Sequence, residues 1–276
     1  CCGTDPAPPR LIRSQNLSSW AKAPDPPARR VIMKQAVLIA AVLGAASPAL
    51  AQDGADGWSA GLIGAYGTSP YIGQDDGAGI AASLQYRAGR FTIGTGGLSY
   101  SIIDDGSRRL DALLLPRFTA LDAPGGVLAG IDRDVTADIG LRYAVTQPGG
   151  TVLGGTFRQE ITGEHDGQEI DLRASQRLGG DGPPITAYAG ATWRSGGLSE
   201  YLYGVLPGEA AVGRPAYDPG ATLTPYLGLS AAFPLNDRWS LVGGVGVDML
   251  GDAITDSPIV DDGTVYSANF GVNLQF

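Results

Sequence analysis

After residue 51 the chain contains no cysteine and no lysine, and His165 is its single histidine. Without cysteine, residues 52–276 can form no disulfide bond and no thiolate metal site. Their basic side chains are 13 arginines, which stand against 26 aspartates and glutamates. Since binding to phosphates needs a basic surface, this acidic balance argues against a nucleic-acid partner.

Long apolar runs are also missing. No stretch reaches 18 consecutive apolar residues, which excludes a protein that crosses a membrane with helices. Residues 52–276 hold 40 of the 42 glycines. A glycine-rich chain with short-period patterning leaves three classes: a β-sandwich, a soluble barrel or a membrane barrel.

The last thirteen residues, 264–276, alternate between apolar and polar without a break. Tyr266, Phe270 and Val272 fall on one face, and Asn269 and Asn273 on the other. A soluble sandwich could use such a strand, but a strand with lipid on one side and a watery lumen on the other has this pattern naturally. The segment also resembles the C-terminal strand of Gram-negative outer-membrane barrels, which ends on phenylalanine.

The N-terminal part has the composition of a targeting segment. Met33-Lys34 opens a basic region, residues 36–44 form an apolar run of nine, and residues 49–51 are a small-x-small cleavage site before Gln52. Nine apolar residues are too few to span a bilayer. The sequence therefore predicts a signal peptide at residues 33–51, an upstream leader without a folded role at residues 1–32, and an outer-membrane β-barrel at residues 52–276.

Alternating segments of about ten residues recur along the predicted barrel. Aromatic residues lie near their ends, as in the two interfacial girdles of membrane barrels. An even number of strands is needed, and eleven are visible, so a twelfth is expected near residues 126–131, with ten strands as the alternative. The visible strands cover residues 58–66, 79–87, 89–100, 110–120, 134–146, 150–161, 168–178, 185–194, 222–233, 238–250 and 264–276.

Several short motifs lie in this frame: Pro70-Tyr-Ile-Gly73, Tyr86-Arg-Ala-Gly-Arg-Phe91, Gly163-Glu-His-Asp-Gly167, Tyr201-Leu-Tyr-Gly-Val205, Ala216-Tyr217, Asp256-Ser-Pro258 and Phe276. In this order they are similar to the MltA-interacting protein family, also called MipA/OmpV. The resemblance implies an outer-membrane β-barrel in contact with lipid and lipopolysaccharide. It also implies a scaffold that joins a murein-cleaving lytic transglycosylase to a penicillin-binding synthase, while other members behave as porins or adhesins.

Residues suited to catalysis are scarce. Outer-membrane enzymes of the hydrolase and acyltransferase kinds need a histidine beside a serine or aspartate as a base. His165 lies between Glu164 and Asp166 in a turn flanked by glycines, and is expected to be solvated. The sequence therefore predicts no enzyme, no catalytic residue, no cofactor and no metal site. Paired acidic residues in loops, at 75–76, 104–105 and 261–262, could hold calcium but are more typical of solvated loops.

Charged residues of both signs are expected on the inward face of the barrel. Six of each sign can neutralise one another, filling and stiffening a narrow lumen, so a wide aqueous channel is not expected. A small pore is left as an alternative function, and the scaffold interpretation rests on the family resemblance. The candidate lumen charges are Arg117, Arg142, Arg158, Arg173, Arg177, Arg194, Asp134, Asp138, Glu160, Glu169, Asp171 and Asp248.

The segment at residues 195–220 is the longest interval without clear alternation. It carries Tyr201, Tyr203, Arg214 and Tyr217 together. Long loops inside compact domains are usually functional or disordered, and this combination of aromatics with arginine favours an ordered loop at the barrel mouth. It is the candidate functional loop.

We expect the mature protein to begin at Gln52, because the cleavage pattern ends there and the composition changes beyond it. Intact-mass measurement on protein extracted from outer membranes tests this. A mature chain that retained residues 1–32 would contradict the prediction.

Overall fold

The computed structural model describes residues 56–119, 121, 125–179 and 185–276. The predicted leader, signal peptide and cleavage site lie outside the described residues. Within them, no helix is long and apolar enough to cross a membrane.

Twelve antiparallel strands in the described part of the chain close into a barrel. Each strand pairs with its neighbours in sequence, and β1 pairs with β12 to complete the ring. The prediction of an all-β barrel with twelve strands is confirmed, and the alternative of ten is not. The strands are β1 (Gly57–Gly67), β2 (Gly77–Ala88), β3 (Phe91–Gly94), β4 (Gly97–Asp104), β5 (Arg108–Arg117), β6 (Thr136–Thr146), β7 (Val152–Glu160), β8 (Gln168–Leu178), β9 (Ile185–Arg194), β10 (Thr222–Pro234), β11 (Trp239–Met249) and β12 (Thr264–Gln275).

The strand missing from the sequence count lies elsewhere than expected. Residues 126–131 hold a single 3₁₀ turn, Gly126–Leu128, and no strand. The segment predicted as one strand at 89–100 instead folds back on itself and supplies both β3 and β4. A side chain at Gly94 or Gly97 would place its Cβ 2.4 Å from a backbone oxygen of the neighbouring strand, so this tight turn requires glycine at both positions.

The alternation read from the sequence matches the two faces of the wall. Tyr266 and Phe270 of β12 are 56% and 64% exposed on the outer side of the barrel. Asn269 and Asn273 point to the lumen, because successive side chains of a strand leave opposite faces. The outer face is therefore apolar and the inner face polar, as a bilayer requires.

The two ends of the barrel differ. The end that carries Phe276 and the start of β1, here called the terminus end, has short turns such as the one between β10 and β11. The opposite end, here called the loop end, carries the long connections. Two helices lie in these connections: α1 (Gly196–Tyr203) between β9 and β10, and α2 (Asp252–Thr255) between β11 and β12.

Two neighbouring positions of β12 test the assignment of faces. Val272 pairs with Leu62 and Leu241 on the outer side, whereas Asn273 faces the lumen. We expect Val272→Arg to destabilise the barrel by roughly 2 to 4 kcal/mol if it lies near the bilayer midplane, and Asn273→Arg to cost less. Denaturant unfolding in lipid vesicles measures both, and equal losses would mean that the faces are assigned wrongly.

Candidate functional site

The connections at the loop end fold together into a cap over the barrel. The outer cap is defined here as residues 68–76, 118–135, 195–221 and 250–263, so far as they are described. Hydrophobic side chains from all four segments pack into one cluster, whose members are at most 8% exposed. These are Tyr71, Leu121, Leu128, Ile131, Val205, Ile254, Ile259 and Val260, with Tyr203, Tyr217 and Leu250 packed against them.

Hydrogen bonds to backbone carbonyls tie the cap segments to one another. The Tyr71 hydroxyl donates to the carbonyl of Leu202 at 3.2 Å, and the Ser257 hydroxyl donates to the carbonyl of Tyr203 at 2.6 Å. The Tyr217 hydroxyl donates to the carbonyl of Ala253 at 2.8 Å. Because each bond joins segments distant in sequence, the cap behaves as one folded unit.

The four residues of the candidate functional loop all belong to this unit. Tyr203 and Tyr217 pack against the hydrophobic cluster. Tyr201 donates its hydroxyl to the carbonyl of Asp134 at 2.7 Å, and burial raises its pKa to about 12. Arg214 is 6% exposed and donates to the carbonyls of Val127 and Ala129, the latter at 3.0 Å. The loop is therefore ordered, and its aromatic and guanidinium groups connect cap segments.

A second arginine of the cap, Arg133, is not among the site residues predicted from the sequence, and no sequence pattern points to it. Its guanidinium forms an ion pair with Glu209 and lies 5.4 Å from the centre of the Tyr201 ring. Burial alone would raise the pKa of Glu209, but the hydrogen bonds from Arg133 and from the N–H of Leu206 outweigh it and lower that pKa. Residues 133 and 209 are 76 positions apart, so only the tertiary fold brings them together.

His165 differs from the expectation of a solvated loop histidine. It is half-buried beneath the cap, with its ring 4.7 Å from that of Tyr201. Its Nδ1 accepts the N–H of Gly167 at 3.0 Å, and its Nε2 is buried without a partner among the described atoms. Burial lowers its pKa, and Glu160 opposes this shift only in part. The imidazole of this turn therefore packs against α1, and its Nδ1 atom already accepts a hydrogen bond from Gly167.

Five of the predicted lumen charges meet directly below the cap, in a group here called the lumen network: Arg117, Asp138, Arg158, Glu169 and Arg194. Arg117 contacts Asp138 at 2.6 Å and Glu169 at 3.1 Å. Glu169 also pairs with Arg158 and, at 3.3 Å, with Arg194. Asp138 and Glu169 are 1% and 3% exposed. Buried charges are tolerated only when paired and hydrogen-bonded, and here each carboxylate has at least two guanidinium neighbours.

The other predicted lumen charges are more dispersed. Asp171 accepts the hydroxyl of Thr192 at 3.1 Å, and Arg173 lies 3.7 Å from the centre of the Tyr188 ring. Arg142 is opposite Asp111 in the β5–β6 register. Arg177 and Asp248 occupy inward positions of β8 and β11.

Two predicted lumen acids have other surroundings. Asp134 is exposed and lies outside the lumen, because β6 begins only at Thr136. Glu160 closes the end of β7, where its carboxylate accepts the backbone N–H groups of Thr162, Gly163 and Asp166. Its contacts thus hold the turn that carries His165.

One inward charge pair is absent from the predicted set. Arg109 and Asp111 of β5 contact each other at 3.0 Å, and the Ser101 hydroxyl donates to Asp111 at 2.7 Å. The i, i+2 spacing of the two charged residues was an available signal. The spacing is hard to recognise as part of an inward polar face because the next inward residues of β5, Leu113 and Leu115, are apolar.

The interior therefore has two unlike walls. Strands β5 to β9 carry most of the guanidinium and carboxylate groups of the lumen. Strands β10 to β12, β1 and β2 turn mostly small or uncharged residues inward, such as Ser83, Ser230, Gly244, Asn269 and Asn273. Charge is therefore concentrated on one side of the lumen, with Asp248 of β11 as an exception.

A closed antiparallel barrel with an apolar outer face, a polar lumen and long loops at one end defines the class of bacterial outer-membrane barrels. The family model of MltA-interacting protein MipA matches residues 60–276, and the chain belongs to this family. Outer membrane protein OmpV of Vibrio cholerae is 28% identical over 209 residues, covering 74% of this chain and 80% of the relative.

Two further relatives come from Escherichia coli K12. Its MltA-interacting protein is 33% identical over 147 residues, covering 52% of this chain and 58% of the relative. Its putative outer membrane protein YiaT is 25% identical over 236 residues, covering 84% of this chain and 96% of the relative. The chain is an outer-membrane protein, so the loop end is the outer end and the terminus end faces the periplasm.

Removing one carboxylate tests the lumen network. Glu169→Gln leaves three arginines around a neutral amide, and we expect a loss of roughly 3 to 5 kcal/mol in the free energy of unfolding, as when one partner of a buried ion pair is removed. Asp171→Asn, which disturbs only the hydrogen bonds with the hydroxyls of Thr192 and Tyr226, is the control and should lose much less. Denaturant unfolding in vesicles compares them, and equal stability of the two variants would show that the network contributes little.

Proposed function

We propose that this barrel is a scaffold that holds murein-cleaving and murein-synthesising enzymes at the periplasmic side of the outer membrane. The proposal gains support from a relative whose name is MltA-interacting protein. The observation that carries it is the outer cap, because a mouth roofed by a packed hydrophobic cluster suits a protein that works through its surfaces better than one that conducts.

The lumen network supports the same proposal. Three guanidinium and two carboxylate groups, held to one another within the barrel, stiffen the wall and occupy space that a wide channel would need. A rigid barrel anchored in lipid is a fixed platform. Partner enzymes need only recognise what it presents to the periplasm.

The periplasmic turns are short and pre-formed. Asp105 accepts the backbone N–H groups of Ser107 and Arg108, and these bonds lower its pKa to about 2. Asn236 accepts the backbone N–H groups of Arg238 and Trp239, both at 3.0 Å. A surface that is already ordered binds a partner without the loss of entropy that ordering a loop would add. Arg108, which is paired with Asp105 at 2.9 Å, and Arg238 are both exposed on these turns.

A narrow pore for small solutes is the second candidate. The wall formed by β10 to β2 favours it, since its small inward residues leave room beside the charged wall. An adhesin is a third reading, favoured by the turn of residues 211–214, whose Val212 is fully exposed at the outer surface.

Two variants at opposite ends of the barrel separate these functions. In the first, residues 206–214 are deleted, which removes Glu209 and Arg214 from the cap. In the second, Arg108→Glu and Arg238→Glu reverse two charges on the periplasmic turns. Each purified protein is tested for retention of a lytic transglycosylase and a penicillin-binding synthase, and for conductance in planar bilayers, with heat-modifiable migration as the check on folding.

For a scaffold we expect the unaltered protein to retain both enzymes and to conduct little. The periplasmic double variant should lose retention, while the cap deletion should keep it and conduct more. Conductance from the unaltered protein without retention of either enzyme would support the pore. Loss of retention only in the cap deletion would contradict a periplasmic binding surface.

A further inference from the structure

Among the described residues, β3 and β4 fill only part of the wall between β2 and β5. The β3–β4 hairpin that fills this interval is short: Gly94, its last residue on the β2 side, pairs with Gln85, and Thr95 donates to the carbonyl of Leu84. The rest of β2 toward the outer end, residues 77–83, pairs with β1 on one edge and with no described strand on the other. On β5, residues 115–117 likewise extend past the end of β4. We call this interval the wall gap.

Strand geometry gives the size and place of the wall gap. Three strand spacings of about 4.8 Å separate β2 from β5, or about 14 Å at the hairpin tip. Because β2 runs from the outer end toward the periplasmic end, the unpaired residues lie in the outer part of the wall. The wall gap therefore lies at the level of the outer leaflet.

The sequence of β5 is suited to an edge without a neighbour. Pro116 is opposite Ala137 of β6. The carbonyl of Ala137 accepts the N–H of Ile161, which lies on the side of β6 that faces away from β5. Since a strand residue directs both of its backbone groups to the same side, Pro116 and Ala137 are not bonded to each other, and Pro116 faces the wall gap. Proline has no N–H, so this edge presents no donor there, which is how proline is tolerated in strands.

The β2 edge differs, because it presents donors. Leu84 directs its carbonyl toward β3, so Ala78, Ile80 and Ala82 direct their N–H and C=O groups to the same side, into the wall gap. Backbone groups at membrane depth need partners, since each unsatisfied one costs several kcal/mol. An ester, amide or phosphate oxygen of a lipid can accept from these N–H groups.

The inner surface beside the wall gap can receive an apolar chain. The inward residues of β2 in this part are small: Gly77, Gly79, Ala81 and Ser83. On β5 the inward residues in this part are Leu115 and then Arg117 of the lumen network, while the buried Leu113 lies level with Ser99 of β4. The outer flank carries exposed apolar side chains, including Ile80, which is 69% exposed.

We propose that the wall gap is a lateral lipid site, in which an outer-leaflet lipid inserts an acyl chain between β2 and β5. Its carbonyl or phosphate oxygens accept from the N–H groups of the β2 edge that have no strand partner among the described residues, and its chain contacts Leu115. Because the outer cap roofs the mouth, this side entrance is the route that joins the lumen to the outer leaflet. The site is independent of the scaffold proposal.

Single cysteines placed on the wall test the site. Ala81→Cys lies behind the wall gap, Ser267→Cys lies on the inward face of β12, which is paired on both edges there, and Val245→Cys is 53% exposed to lipid before substitution. Each protein is labelled with an environment-sensitive fluorophore and placed in vesicles of phospholipid with brominated acyl chains, which quench on contact. The unsubstituted protein, which has no cysteine after residue 51, is labelled in parallel and gives the background.

We expect the label at residue 81 to be quenched several-fold more strongly than that at residue 267, and to approach the label at 245. Added lipopolysaccharide that restores the fluorescence would identify lipopolysaccharide as the preferred lipid, and unchanged quenching would identify phospholipid. If residue 81 is as protected as residue 267, or if both are quenched alike, the lateral site does not exist. Ser83→Cys, also inward on β2, replaces Ala81→Cys if that variant does not fold, as judged by heat-modifiable migration.

Discussion

The structure depends on one constraint, which is that backbone N–H and C=O groups inside a bilayer must be bonded within the protein. The pairing of β1 with β12 satisfies it by closing the sheet into a ring without free edges. Closure also decides the chemistry of both faces, because alternate side chains must then point either to lipid or to the lumen. The interval between β2 and β5 departs from this rule in the described wall, because the outer part of the β2 edge has no strand partner there.

Because the apolar faces of the strands point outward, the barrel does not enclose the hydrophobic core that a soluble protein would have. The dry core is found instead in the loops: Leu128, Val205, Ile254 and Ile259 are at most 1% exposed, and all lie in the outer cap. Long loops of this kind are therefore folded structure. Their packing also controls access to the lumen from outside. The loops, which tolerate changes in length better than strands do, are therefore also the segments that cover the mouth of the barrel.

Charge is arranged to hold the barrel's shape. In a low-dielectric interior an unpaired carboxylate is costly, and grouping Asp138 and Glu169 with three guanidinium groups removes that penalty while linking β5, β6, β7, β8 and β9 across the lumen. The opposite wall, built from glycine, serine and asparagine, carries almost no charge. A lumen with one rigid charged wall and one small-residue wall fits a platform, and it leaves limited room for small molecules.

The sequence by itself determined the class and the two faces of the wall, because a period of two is local and is visible in any strand with lipid on one side and water on the other. The number of strands came from the requirement for an even count, which raised the eleven visible strands to twelve. The sequence also placed Tyr201 and Arg214 in an ordered loop. Only the tertiary structure decided where the chain reverses at residues 95–96, since alternation continues on both sides of so short a turn. Only the tertiary structure joined Arg117 to Glu169, 52 residues away, and moved Asp134 out of the lumen, because such contacts depend on the register between strands, which no local pattern records.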